Sequence, residues 1–240
     1  MSIARKDRLI VALDVPTAAE ARALVEKLGD AACFYKVGLE LFSAGGYFEL
    51  IEWLTKRGNQ VFADLKLYDI PETVRRATAN LSSTGATFLT VHGHRSVMEA
   101  AAKEKGALKI LAVTVLTSFD AKDLAEMRST ATVDELVMAR ARGAKECGCD
   151  GVIASGMESP RLKAEFGSKL LVVTPGIRPT AEGDPARDRP SDDQKRAVDA
   201  AQAFKGGSDY IVVGRPIRNA PDPRAAALAL QQTIAEVFPA

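Results

Sequence analysis

The stretch Leu9-Ile10-Val11-Ala12-Leu13-Asp14-Val15-Pro16-Thr17-Ala18-Ala19-Glu20, running on to Gly29, decides the fold. Leu9 to Leu13 is a continuous apolar run, the pattern of a strand covered on both faces. Asp14, Val15 and Pro16 break it. Thr17, with Glu20 three residues later, reads as a helix-capping box. An Ala-, Leu- and Glu-rich segment follows, and Gly29 stands where a helix turns out of its last carbonyls. Strand, loop, helix and glycine together make one βα unit.

The unit recurs along the chain. Glycines at 58, 85, 106, 148, 167 and 206 each precede another apolar run. Eight strands are predicted, at 8–13, 32–37, 60–65, 86–91, 108–115, 151–155, 169–174 and 209–213, with a last helix over 221–238. Ser96 with Glu99 and Thr132 with Glu135 read as further capping boxes. Ile70-Pro71 and Ser159-Pro160 read as helix entries with proline in the first turn. Strands alternating with helices imply parallel pairing through right-handed crossovers. Eight such units favour an α/β fold of the (β/α)8 TIM-barrel type, as a single domain over 1–240. A doubly wound open sheet is the alternative, but its glycine fingerprint is missing: the first turn reads Asp14-Val15-Pro16-Thr17. The one long polar stretch, 178–196, falls after strand seven on the face where a barrel carries its functional loops, and is expected to be a lid.

Composition narrows the function classes. The 240 residues include 32 Lys plus Arg and 31 Asp plus Glu, a formal net charge of +1. That balance argues against a nucleic-acid partner held by charge, and against a polybasic membrane anchor. No apolar run approaches the ~20 residues of a membrane span. Residues 1–8 are too charged for a signal-peptide core, and the three cysteines, Cys33, Cys147 and Cys149, suggest no disulfide framework, so a cytoplasmic location is expected. With two histidines in all, His92 and His94, no metal site is expected; a supporting role behind the reacting groups suits them better.

In a barrel the chemistry belongs at the C-terminal ends of the strands. Strand one ends at Asp14. Strand two carries Lys36 near its end, and strand three runs into Asp64-Leu65-Lys66-Leu67-Tyr68-Asp69. Charge is costly inside a sheet covered on both faces, so lysines and carboxylates gathered on one rim point to a site. Asp64 and Lys66, two apart, face the same way in extended chain, toward the barrel axis. The loops after strands seven and eight, with Gly176 and with Gly214-Arg215, are where this architecture grips phosphate, by backbone N–H groups and a forked guanidinium.

These residues resemble the orotidine 5′-monophosphate decarboxylase family, over nearly the whole chain. The resemblance rests on Leu13-Asp14, on Tyr35-Lys36-Val37-Gly38, and above all on Asp64-Leu65-Lys66-Leu67-Tyr68-Asp69-Ile70-Pro71-Glu72-Thr73-Val74. It continues in Val115-Leu116-Thr117-Ser118, Val173-Thr174-Pro175-Gly176-Ile177-Arg178, Ser191-Asp192-Asp193-Gln194 and Val212-Val213-Gly214-Arg215-Pro216-Ile217. It implies decarboxylation of orotidine 5′-monophosphate to UMP in de novo pyrimidine biosynthesis, without metal or cofactor. It implies Lys66 as proton donor within an array of Lys36, Asp64 and Asp69. Asp69 and Thr73 would cross to the partner subunit of a homodimer. Asp14 and Lys36 would hold ribose hydroxyls, Thr117 would contact the pyrimidine, Pro175 would also bind the substrate, and Gln194 would bridge base and phosphate. Arg178, Gly214 and Arg215 would hold the phosphate. The rivals are a Mg²⁺-dependent sugar-phosphate decarboxylase or aldolase on the same barrel, and a catalytically silent nucleotide-binding barrel.

Overall fold

The computed structural model describes residues 3–178 and 196–239. Eight parallel strands close into a barrel in sequence order. They are β1 (Leu9–Ala12), β2 (Phe34–Gly38), β3 (Gln60–Leu67), β4 (Phe88–His92), β5 (Lys109–Val113), β6 (Gly151–Ile153), β7 (Leu171–Thr174) and β8 (Tyr210–Val213). Closure is made by β1 against β8, with Leu9 opposite Ile211 and Val11 opposite Val213. Each predicted strand is present, most of them one or two residues shorter. The exceptions are β5, three residues shorter than predicted, and β3, which runs on to Leu67.

The strand pleat divides the apolar residues into two cores. Leu9, Val11, Tyr35, Val61, Ala63 and their equivalents face outward and pack under the helices. Ile10, Ala12, Phe34, Phe62, Phe88, Leu111, Val113, Ile153, Val173, Tyr210 and Val212 fill the cylinder. At its centre Phe34, Phe62, Phe88 and Tyr210 pack edge to face or tilted, with Phe88 5.1 Å from both Phe34 and Tyr210. These four rings plug the middle of the barrel. The side chains above it form the floor of an open upper end.

Helix signals held in most units. Thr132 and Glu135 form a reciprocal capping box before the helix Val133–Glu146, and Pro71 opens the helix Pro71–Ser82. Thr17 caps the Glu20 N–H, but the Glu20 carboxylate takes the Thr17 hydroxyl rather than its backbone, so half of that box forms. Ser96 does not cap: the helix already begins at Arg95, after His94, which places Ser96 within the first turn. Six of the seven exit glycines have positive φ, whereas Gly206 has φ −72° and Gly207, at +99°, makes the turn. The expected lid, 178–196, lies outside the described residues except for its two ends.

Candidate active site

The upper end of the barrel holds a cavity of about 470 Å³. Its floor is Ala12, Phe62, Val113, Ile153 and Val212, the last interior layer of the plug. Along β2 and β3 the next inward position beyond the plug is charged. Lys36 follows Phe34 by two, and Asp64 follows Phe62 by two; Asp14 lies two beyond Ala12 in the loop after β1. Period-two alternation therefore carries these three groups from the core to the rim of one cylinder.

The groups form a continuous chain of charge. Lys36 Nζ donates to Asp14 Oδ1 at 2.8 Å and lies 3.4 Å from Asp64 Oδ2. Lys66 Nζ donates to both oxygens of Asp64, at 2.8 and 2.9 Å. Gly38 makes room for this: a Cβ there would lie 3.2 Å from Lys36 Nζ and 3.5 Å from Asp14 Oδ1. Burial pushes the Asp64 carboxyl up, but Lys36 and Lys66, joined by hydrogen bonds from Lys66 and Thr90, outweigh it and hold the group below the ordinary carboxylate range. Burial likewise pulls Lys36 down, and Asp64 and Asp14 reverse this, holding the ammonium above ordinary lysine.

Thr90 was not foreseen from sequence. It is fully buried on β4, donates its hydroxyl to Asp64 Oδ1 at 2.8 Å, and accepts the Lys66 backbone N–H at 3.0 Å. One small side chain thus fixes both the carboxylate and the backbone of the lysine that faces it. A lone polar residue within the apolar run Phe88-Leu89-Thr90-Val91 was the available signal. Lys66 itself is, among the described residues, one of two non-glycine residues with positive φ, at +47°, and the β3–β4 register shifts between Ala63 and Leu67. Such a conformation is unfavourable for a side-chain-bearing residue and is retained where its surroundings enforce it.

The cavity is also lined by Pro175, Gly176 and Arg178 after β7 and by Gly214, Arg215 and Arg218 after β8; Gly214 lies beside Asp14, and a Cβ on it would lie 3.7 Å from Asp14 Oδ2. Arg218 was also missed, because nothing in its spacing separates it from a surface arginine. Thr117 and Ser118 line the cavity from the loop after β5. Asp69 and Thr73 do not line the cavity of their own chain. Both are exposed, and Asp69 Oδ1 accepts the N–H of Ile70 at 2.6 Å. Gln194 lies outside the described residues. His92 and His94 sit against the Tyr68 ring, with centroids 5.0 and 4.9 Å away. Among the described residues no group of three or more His, Cys, Asp or Glu is placed to hold a metal ion, and no helix is long and apolar enough to cross a membrane.

Two cations around a buried carboxylate, and guanidinium groups elsewhere on the same cavity, suit a ligand with a reacting centre and a separate anion. The chain is similar to known proteins over almost its whole length. A protein named orotidine 5′-phosphate decarboxylase from Methylococcus capsulatus is 56% identical over 234 residues, 98% of this chain and 94% of that one. One of the same name from Stenotrophomonas maltophilia is 48% identical, covering 98% and 95%. The crystal structure of orotidine 5′-phosphate decarboxylase from Lactobacillus acidophilus superposes with a TM-score of 0.81 at 37% identity, covering 95% of this chain and 99% of that one. The family model described as "Orotidine 5'-phosphate decarboxylase / HUMPS family" matches residues 7–230, so the chain belongs to that family.

Proposed function

We propose that this protein is a carboxy-lyase that converts orotidine 5′-monophosphate to UMP and CO₂ in de novo pyrimidine biosynthesis, without metal or cofactor. The observation that carries the reading is Asp64 held between Lys36 and Lys66 in a cavity that Arg215 also lines. In the reaction the bond from the pyrimidine ring to its carboxylate breaks, and CO₂ leaves. The electron pair stays on the ring carbon, in the ring plane, where the π system cannot take it up. The Lys66 ammonium gives that carbon a proton, and the resulting amine regains one from solvent. A fixed cation at the developing carbanion acts only in the transition state, which is the condition for raising turnover.

Asp64 would stand near the substrate carboxylate and repel it. Like charges ~4 Å apart give about 4 kcal/mol at an effective dielectric near 20. Large enzymatic accelerations require up to ~23 kcal/mol. Two lysines already compensate Asp64, which reduces the repulsion further. Attraction between Lys66 and the carbanion is therefore the larger effect. Binding energy from the remote phosphate, held by Arg178, Arg215 and Gly214 with Gln194, adds to it by fixing the ring and excluding water. Asp14 and Lys36 take ribose hydroxyls, Thr117 contacts the base, and Pro175 lines the same cavity.

The array is completed across a homodimer, with Asp69 and Thr73 supplied to the partner's cavity. Exposed Tyr68 and Ile70, which flank Asp69, support an occupied surface there. The enzyme is expected in the cytoplasm, with no nucleic-acid or membrane partner. The test is loss of orotate-ring absorbance when purified protein meets orotidine 5′-monophosphate in excess EDTA. No change with or without Mg²⁺, but tight UMP binding, would point to a silent nucleotide-binding barrel. Activity that EDTA abolishes and Mg²⁺ restores would point to the metal-dependent rival.

A further inference from the structure

The buried ion pair between Arg196 and Glu158 takes no part in the chemistry above. Its position is nonetheless specific. Glu158 follows β6 and directly precedes the helix Ser159–Phe166; its side chain is 8% exposed, and that of Arg196 is 12% exposed. Arg196 Nη1 donates to Glu158 Oε1 at 2.5 Å. Its Nη2 donates to the carbonyls of Val115 and Leu116, at 3.2 and 3.0 Å. The Ser155 hydroxyl donates to the Arg196 carbonyl at 2.9 Å. One guanidinium therefore joins the exits of β5 and β6.

The residues that follow extend the connection to β7. Val198 pairs with Ile177, donates to the Gly176 carbonyl at 3.3 Å and accepts from the Arg178 N–H at 3.0 Å. The approach to β6 is close: a Cβ on Gly156 would lie 2.4 Å from Val198 Cγ2, so only glycine fits. Val115, Leu116, Thr117 and Ser118 all line the cavity. The carbonyls that Arg196 holds belong to the two residues immediately before Thr117. A forked guanidinium is suited to this work, because it contacts a carboxylate and two carbonyls from one rigid plane.

We propose that Arg196, oriented by Glu158, is a positioning residue for the pyrimidine end of the cavity: it fixes the backbone that presents Thr117 and Ser118 to the ring. This rests on the nucleotide reading above. Arg196→Lys keeps the buried charge but loses the fork. Glu158→Gln keeps the size of the carboxylate but loses its charge. The neutral amide orients the guanidinium less firmly.

Dissociation constants for UMP and for ribose 5-phosphate, which lacks the ring, separate positioning from general support. Calorimetry on wild type and on both variants supplies them, alongside kcat/KM for orotidine 5′-monophosphate. In each variant UMP is expected to bind tenfold or more weakly and kcat/KM to fall at least tenfold, while ribose 5-phosphate affinity changes less than twofold. A parallel loss for both ligands, no loss for either, or collapse of the far-ultraviolet dichroism in both variants would overturn the proposal. If wild type neither binds UMP nor consumes orotidine 5′-monophosphate, the nucleotide reading has failed instead.

Discussion

The Nζ of Lys66 lies 2.8 and 2.9 Å from the two oxygens of Asp64, and a distorted strand brings it there. The two residues are two apart on β3, so regular pleating would place both inside the barrel. The strand is not regular at that point: Lys66 has φ +47°, and its N–H is taken by the Thr90 hydroxyl. Strain in the backbone and a buried threonine together aim the ammonium at the cavity.

Lys66→Ala removes the group proposed to meet the carbanion. Turnover is expected to fall by at least about 10²–10³-fold, the scale for losing one preorganised transition-state contact. UMP affinity should stay within tenfold of wild type, because the proposed phosphate grip is untouched. Single-turnover absorbance and calorimetry check the two halves. Near-normal turnover would remove Lys66 from the mechanism.

The backbone of Lys66 supports a separate expectation about stability. Alanine at φ +47° keeps the left-handed penalty, whereas glycine escapes it. Lys66→Gly should therefore be more stable than Lys66→Ala by about 1 kcal/mol, after the extra chain entropy of glycine is counted. Urea midpoints of the two variants decide it. Equal midpoints would mean that the strand relaxes once the lysine is gone.

Arg215 lines the cavity, and the ion pairs of Asp64 are with Lys36 and Lys66. If phosphate binding energy is used to position the ring, Arg215→Ala should lower kcat/KM by well over tenfold, although no reacting atom is touched. A loss under about tenfold would mean that the two ends of the cavity work independently.

Asp69 is exposed in its own chain and does not line its own cavity. Lys66→Ala and Asp69→Ala proteins should each be inactive alone. If Asp69 serves the partner's site in a homodimer, as proposed, mixing them should recover up to about a quarter of wild-type activity, since half the dimers would be hybrid and each hybrid would carry one intact site. Silence after subunit exchange has been verified by mass spectrometry would place Asp69 within its own chain's chemistry.

The two histidines give stability a pH dependence. Burial, with Arg140 nearby and, for His92, also His94 and Lys66, holds both imidazoles below the ordinary histidine range. A group whose folded pKa is lowered binds its proton more readily when unfolded. It contributes nothing well above the unfolded value of about 6.5 and costs stability as the pH falls from there through the folded value. The Tm should drop between pH 7.5 and 5.5, and drop less in the double variant His92→Asn, His94→Asn. The same slope in both proteins would assign the acid sensitivity elsewhere.

Much of the fold was legible because its signals are local. Apolar runs such as Leu9 to Leu13, capping residues such as Thr132 and turn glycines such as Gly29 act within a few residues of chain. The charged strand ends at Lys36, Asp64 and Lys66 were legible for the same reason: charge beside an apolar strand is conspicuous. Where several local rules compete, the reading slipped, as with Ser96 inside a helix turn and Gly206 beside the glycine that turns.

The sequence by itself determined eight alternating units and which residues stand at the strand ends, because period and composition are properties of the chain. Only the tertiary structure decided which of them meet. Thr90 reaches Asp64 from a neighbouring strand 26 positions away, and Arg196 reaches the carbonyl of Val115 across 81. Those contacts depend on barrel closure and strand register, which set distances between residues that no local pattern connects.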